Sequence, residues 1–213
     1  MIVVMRIGIF ILCLWSFSVT ASAYEAIVID PVSSSDYVTI ENVTQERTYY
    51  GELGNYPHTF QFEVTDPVIF TAQLKLPKNE NTNRSVIIVR KEKRGVSEVT
   101  RLRPAEASWP EEYSFGLAVT QLQGEVYSQE LGSGSYLLEV STADNIGPYA
   151  LVVGTEKPWR LFGYFKTLSE ISTTHKALGY WKLRILLSPY VFVPILLSLG
   201  WYLFKRKRNI QHA

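Results

Sequence analysis

Between residues 24 and 156, apolar and polar side chains alternate in short runs, none of which repeats at a helical period. Phe60, Phe62 and Val64 alternate with Thr59, Gln61 and Glu63, and Val68, Phe70, Ala72, Leu74 and Leu76 alternate with Ile69, Thr71, Gln73 and Lys75. A period of two sends the first set to a buried face and the second to water. Further β-branched and aromatic runs predict strands at 26–29, 37–43, 49–53, 85–91, 113–122, 136–141 and 149–153. Asp66-Pro67 and Asn145-Ile146-Gly147-Pro148 mark turns, and 78–84 is a polar loop. About eight or nine short strands with no helix between them predict a mainly β fold, an antiparallel β-sandwich.

The pattern changes twice towards the C-terminus. Over 157–184, Leu161, Tyr164, Leu168, Ile171 and Leu178 recur at helical spacing, with Lys166, Ser169, Glu170, Thr173 and Lys176 elsewhere on the wheel. This predicts an amphipathic juxtamembrane stalk. Over 185–204 there is no side chain charged at neutral pH. About 20 such residues suffice to cross the hydrocarbon core, so a single transmembrane helix is predicted there, leaving 205–213 as a basic cytoplasmic tail. Within that span Pro189 and Pro194 each remove a backbone donor and are expected to bend the helix.

Residues 1–23 have the layout of a secretory signal peptide: Arg6, an apolar core from Ile7 to Val19, then Thr20-Ala21-Ser22-Ala23, an A-x-A pattern with cleavage after Ala23. An uncleaved first segment would instead give a two-span hairpin. The basic residues do not decide the orientation, because Lys205 to Arg208 at one end of the span are matched by Lys166, Lys176, Lys182 and Arg184 before the other. Cleavage does decide it: 24–156 is expected outside the membrane, periplasmic or extracellular, in a single-pass protein.

The chain has one cysteine, Cys13, inside the predicted signal, and Leu12 before it argues against a lipoprotein. Without disulfides the exported domain must rely on a packed core, which points to a bacterial cell-envelope protein. Charge is divided sharply. Residues 24–156 hold 10 Lys and Arg against 19 Asp and Glu, whereas 157–213 hold 10 against Glu170 alone. An acidic head excludes a nucleic-acid face, and a basic stalk beside a bilayer suits anionic headgroups.

One resemblance rests on particular residues. Tyr50-Gly51-Glu52-Leu53, Phe60 to Val64, Ser85 to Val89, Gly132 to Val140 and Gly147 to Val153 follow the order of the bacterial pre-peptidase C-terminal domain. The likeness covers about 41–154 and implies a small β-sandwich, with no catalytic signature. Asp66-Pro67 replaces that family's small-residue-glycine turn, and Arg84-Ser85 stands where acidic residues often precede the central strand, so calcium binding does not carry over.

Catalytic chemistry is nearly absent from the sequence. His212 falls in the tail and His175 in the stalk, leaving His58 beside Pro57 as the domain's only imidazole, read as a solvated turn residue. No nucleophile, phosphate-loop or metal motif is present, so no enzyme, cofactor or metal is expected. Glu111-Glu112 and Asp144-Asn145 are read as solvated carboxylates, and Arg90 to Arg94 with Gly95 as either a basic contact patch or a hairpin tip in water.

Interaction is expected at the stalk, where Trp159, Phe162, Phe165, Lys166, Trp181 and Lys182 can meet membrane lipid, or a membrane-protein partner, or serve as a spacer. The function expected is a non-catalytic binding or accessory module engaging a protein or glycan outside the membrane. Two alternatives stay open: a structural subunit of a membrane complex recognised through stalk and span, and a transport protein with a cargo-receptor layout.

Overall fold

Two sheets face each other across an apolar core in the computed structural model, which describes residues 25–29, 36–103, 108–114, 117–157 and 164–210. The expected signal peptide at 1–23 lies outside the described residues. Among the described residues there are eleven strands: β1 (Ala26–Val28), β2 (Tyr37–Thr39), β3 (Arg47–Gly54), β4 (His58–Val64), β5 (Val68–Pro77), β6 (Arg84–Lys91), β7 (Val96–Leu102), β8 (Glu111–Ser114), β9 (Val119–Leu131), β10 (Gly134–Thr142) and β11 (Ile146–Val153). One sheet runs β1-β3-β11-β5-β9-β8 and the other β2-β4-β10-β6-β7.

The alternation read from β4 and β5 holds. Phe60, Phe62, Val64, Phe70, Ala72, Leu74 and Leu76 are all buried in one cluster with Tyr136, Leu138, Val140 and Leu151. The Phe62 ring lies against Phe70 of the facing sheet at 4.7 Å and against Tyr136 of its own sheet at 5.4 Å, both nearly parallel. Offset stacks of this kind add about 0.5–1.5 kcal/mol beyond area burial.

Three features correct the sequence reading of the sandwich. It is not wholly antiparallel, because β1 pairs with β3 and β2 with β4 in parallel, three residues each, at sheet edges where no long ladder is needed. The strand expected at 113–122 divides into β8 and β9, which pair with one another across a turn in which Ala118 has φ 54. The sequence pattern does not announce β7 because a bulge at Val99 breaks its alternation: Val99 and Leu102, three residues apart, both pack against the core while most of the strand is exposed. Of the two readings of the Arg90 to Arg94 run, the hairpin tip forms: Glu92 N–H donates to the Gly95 carbonyl, and Gly95 takes φ 91.

The largest correction concerns 185–204. Instead of one helix, the chain forms α1 (Tyr164–Ala177), a 3₁₀ turn (Lys182–Leu187) and α2 (Pro189–Ile210). Ser188 separates the last two in an extended conformation, φ −65 and ψ 135. The physical reason is Pro189. Its ring disfavours the helical region for the residue before it, and its missing N–H suits the first helical position, so Ser-Pro starts a helix rather than kinking one. Only Pro194 lies inside α2. The apolar part of α2, Pro189 to Phe204, rises about 24 Å at 1.5 Å per residue, short of the roughly 30 Å hydrocarbon core. Among the described residues no helix is long and apolar enough to cross a membrane. The tail expected from 205 begins as a continuation of α2 to Ile210.

Candidate functional site

The place where the helices leave the sandwich concentrates the unusual chemistry of this chain. α1 packs on β1 and β3, on the outer face of the six-stranded sheet. Leu178 is buried with Tyr50 and Ala150, and Ile171 with Leu117 and Val119. Burying each such side chain contributes about 1.5–3 kcal/mol. At Ile171 and Leu178 the apolar face of the predicted stalk is therefore occupied by the protein's own sheet, which leaves these two side chains unavailable for the headgroup layer.

Polar contacts reinforce the seat. Thr174 and His175 are fully buried in it. His175 Nε2–H donates to the Leu117 carbonyl, while its Nδ1 is buried with no hydrogen-bond partner among the described residues. Burial holds the imidazole below its ordinary pKa; the Leu117 bond opposes this, and the positive charge of Arg184 adds to it. Leu117 thus brings together a buried helix residue and the turn in which Ala118 takes its positive φ.

α1 ends by local rules. Gly179 takes φ 70, its N–H donates to the Lys176 carbonyl at 3.2 Å, and Tyr180 N–H donates to the His175 carbonyl at 2.8 Å. This pair of bonds is the Schellman motif, which asks for glycine at the left-handed position. Tyr180 then turns inward, its hydroxyl donating to the Thr120 carbonyl at 3.1 Å, and burial raises its pKa. The Arg184 guanidinium sits over the Tyr180 ring, 4.9 Å from its centroid.

Between these helical ends and the sandwich lies a cleft of about 540 Å³, lined by Glu52, Lys78, Glu80, Lys176, Tyr180 and Arg184 among others. A smaller one of about 290 Å³ lies at the other sheet, bordered by Gln61, Glu63, Lys91 and Tyr136. Past the cleft, Ile185 and Tyr190 pack on the Leu117 cluster. Beyond that point the apolar residues of α2 are uncovered: Phe192, Val193, Ile195, Leu196, Leu197, Leu199, Trp201 and Tyr202 are all exposed.

The residues expected at a membrane or partner surface are distributed unevenly. Trp159 and Phe162 lie outside the described residues, and Phe165, Lys166 and Lys182 belong to helical segments whose side chains at those positions are also outside the description. Trp181 is 76% exposed, immediately after the turn that ends α1. His175, Tyr180 and Arg184 were not singled out from the sequence as site residues. Their signal was Gly179 after His175-Lys176, a helix stop with its basic last turn.

His58 is a correction. Far from being solvated, it is 3% exposed and pairs its Nδ1 with the Tyr149 hydroxyl at 2.7 Å, joining the two sheets. Burial lowers its pKa and raises that of Tyr149. Glu111 is ion-paired with Lys78 at 2.7 Å, and Asp144 accepts hydrogen bonds from Thr142 and from the Ile146 N–H that close its turn. Among the described residues no group of three or more His, Cys, Asp or Glu is placed to hold a metal ion.

No protein-family model matches the chain, and no curated protein matches it. Solved structures do. The pre-peptidase C-terminal domain of collagenase from Bacillus anthracis is similar at 14% identity and a TM-score of 0.39, over 57% of this chain and 97% of that one. The Yersinia pseudotuberculosis-derived mitogen is similar at 14% identity and a TM-score of 0.36, over 55% and 92%. PliG of Aeromonas hydrophila, a periplasmic inhibitor of g-type lysozyme, is similar at 13% identity and a TM-score of 0.34, over 56% and 97%. The resemblance to the pre-peptidase domain is one of fold, over about half of the chain.

Proposed function

We propose that this chain is a non-catalytic accessory module of a cell envelope, anchored at the membrane by α2, with its β-sandwich outside to engage a protein or glycan. The observation that carries this reading is the contrast between the two helices. Ile171 of α1 and Leu178 just after it are spent on the sandwich, whereas from Phe192 to Tyr202 α2 presents apolar side chains around its circumference that nothing among the described residues covers. A helix apolar all round belongs in a core or in lipid.

The apolar part of α2 extends about 24 Å, and the long stems of Lys205 to Arg208 can carry their charges from its end to the far interface. The orientation rests on the expected signal peptide, since basic residues stand before α2 as well as at its end. The subunit reading keeps one specific support: Pro194 lacks a backbone donor within α2, and a Cβ at Gly200 would meet nothing within 4 Å, which leaves room for a neighbouring helix.

Alkaline carbonate extraction of cells expressing the full chain, beside a chain ending at Leu187, tests the anchor. The full chain should stay with the membrane pellet and the shortened one should be released folded. Release of both, or retention of both, contradicts the proposal.

A further inference from the structure

We propose that the cleft at the base of the helices binds a small zwitterion carrying a phosphate and a primary amine, the chemistry of a phosphoethanolamine headgroup. This rests on the reading of α2 as the anchor, which would set the cleft at headgroup level: Arg184 lies in the 3₁₀ turn just before α2, whose exposed apolar residues begin at Phe192.

The charges lining the cleft do not cancel one another. Lys78 is held by Glu111 at 2.7 Å and Glu80 by Arg84 at 3.1 Å, so each is already neutralised by a partner. What remains is Lys176 and Arg184 on the helical wall and Glu52 of β3 on the sandwich wall, none in an ion pair among the described residues. Arg184 is not adrift: the Tyr180 ring supports it, and the Tyr180 hydroxyl is itself fixed to Thr120. A guanidinium held over an aromatic ring by a cation–π contact makes no hydrogen bond there, so its N–H groups are kept for a phosphate.

A simple anion would be met by Glu52 and a simple cation by Arg184 and Lys176, each at a cost. A ligand with both charges satisfies both walls. An ammonium with N–H groups suits Glu52, which accepts hydrogen bonds, better than a quaternary amine, which has none to give. The cleft, about 540 Å³, has room for a ligand of this size.

The test titrates the full chain in maltoside micelles with phosphoethanolamine, inorganic phosphate, ethanolamine and phosphocholine, following binding by calorimetry. Phosphoethanolamine should saturate at a concentration at least about tenfold below each of the others, and Arg184→Gln and Glu52→Gln should each weaken it by about tenfold. Glu63→Gln, at the other sheet, should change nothing. Inorganic phosphate binding as tightly as phosphoethanolamine, or an unaltered affinity in Glu52→Gln, overturns the proposal. A second arm compares retention on phosphatidylcholine vesicles with and without phosphatidylethanolamine. A gain that Arg184→Gln removes assigns the site to lipid; saturation by the soluble compound without that gain assigns it to a free ligand. Binding to pure phosphatidylcholine vesicles depends on α2 rather than on the cleft, so loss of anchoring registers there separately.

Discussion

Phe62 is the side chain on which the two sheets converge, stacked on Phe70 and on Tyr136 and 2% exposed. Phe62→Ala should lower stability by about 3–5 kcal/mol, read from urea denaturation, because the cavity opens between two sheets that cannot collapse independently. Its burial was legible from the alternation around it. His58 was not legible, because its partner Tyr149 is 91 residues away and nothing local distinguishes a solvated histidine from a buried one. Tyr149→Phe should cost about 1–3 kcal/mol by leaving the imidazole buried without its partner. Burial lowers the folded-state pKa of both His58 and His175, so the unfolded chain takes up protons first as pH falls. Stability should therefore be complete above the unfolded histidine value of about 6.5 and decline progressively below it, which a melting-temperature series from pH 8 to pH 5 would show. A melting temperature that rises on acidification through this window would contradict the assignment.

Element boundaries were legible where local chemistry sets them and illegible where hydropathy hides them. β4 and β5 declare themselves by period two, while β7 and the far half of β9 do not, since an extra residue in each breaks the alternation against its partner. The run at 185–204 reads as one apolar unit by hydropathy, yet Ser188-Pro189 inside it is a helix start, and the backbone follows the proline rather than the hydropathy. The end of α1 obeys the same kind of rule at Gly179. Gly179→Ala should destabilise the chain by about 1 kcal/mol, since a Cβ at φ 70 is strained although nothing blocks the space. Hydrogen exchange of the Leu178 and Tyr180 amides should accelerate in that variant. Unchanged exchange would mean that the Schellman turn does not hold the helix end.

At the scale of the molecule, the sandwich was legible and the docking of α1 was not. The helical spacing of Ile171 and Leu178 correctly announces an apolar face; it cannot say whether lipid, a partner or the chain's own sheet covers it. The sheet covers it because Tyr50 and Ala150 lie on its outer surface, a fact of register rather than composition. Among the described residues the longest uncovered apolar run is Phe192 to Tyr202 of α2, and the proposed function depends on where that helix resides. Fluorescence quenching by acyl-chain bromine measures this directly. With Cys13, the chain's sole cysteine, replaced by serine, a polarity-sensitive probe is placed at Leu196→Cys in α2 or at Ile69→Cys on the sandwich, and the full chain is reconstituted into phosphatidylcholine vesicles. The account predicts deep quenching at position 196, near the bilayer centre, and none at 69. A probe at 196 that is quenched by aqueous iodide and untouched by the brominated lipid would contradict it.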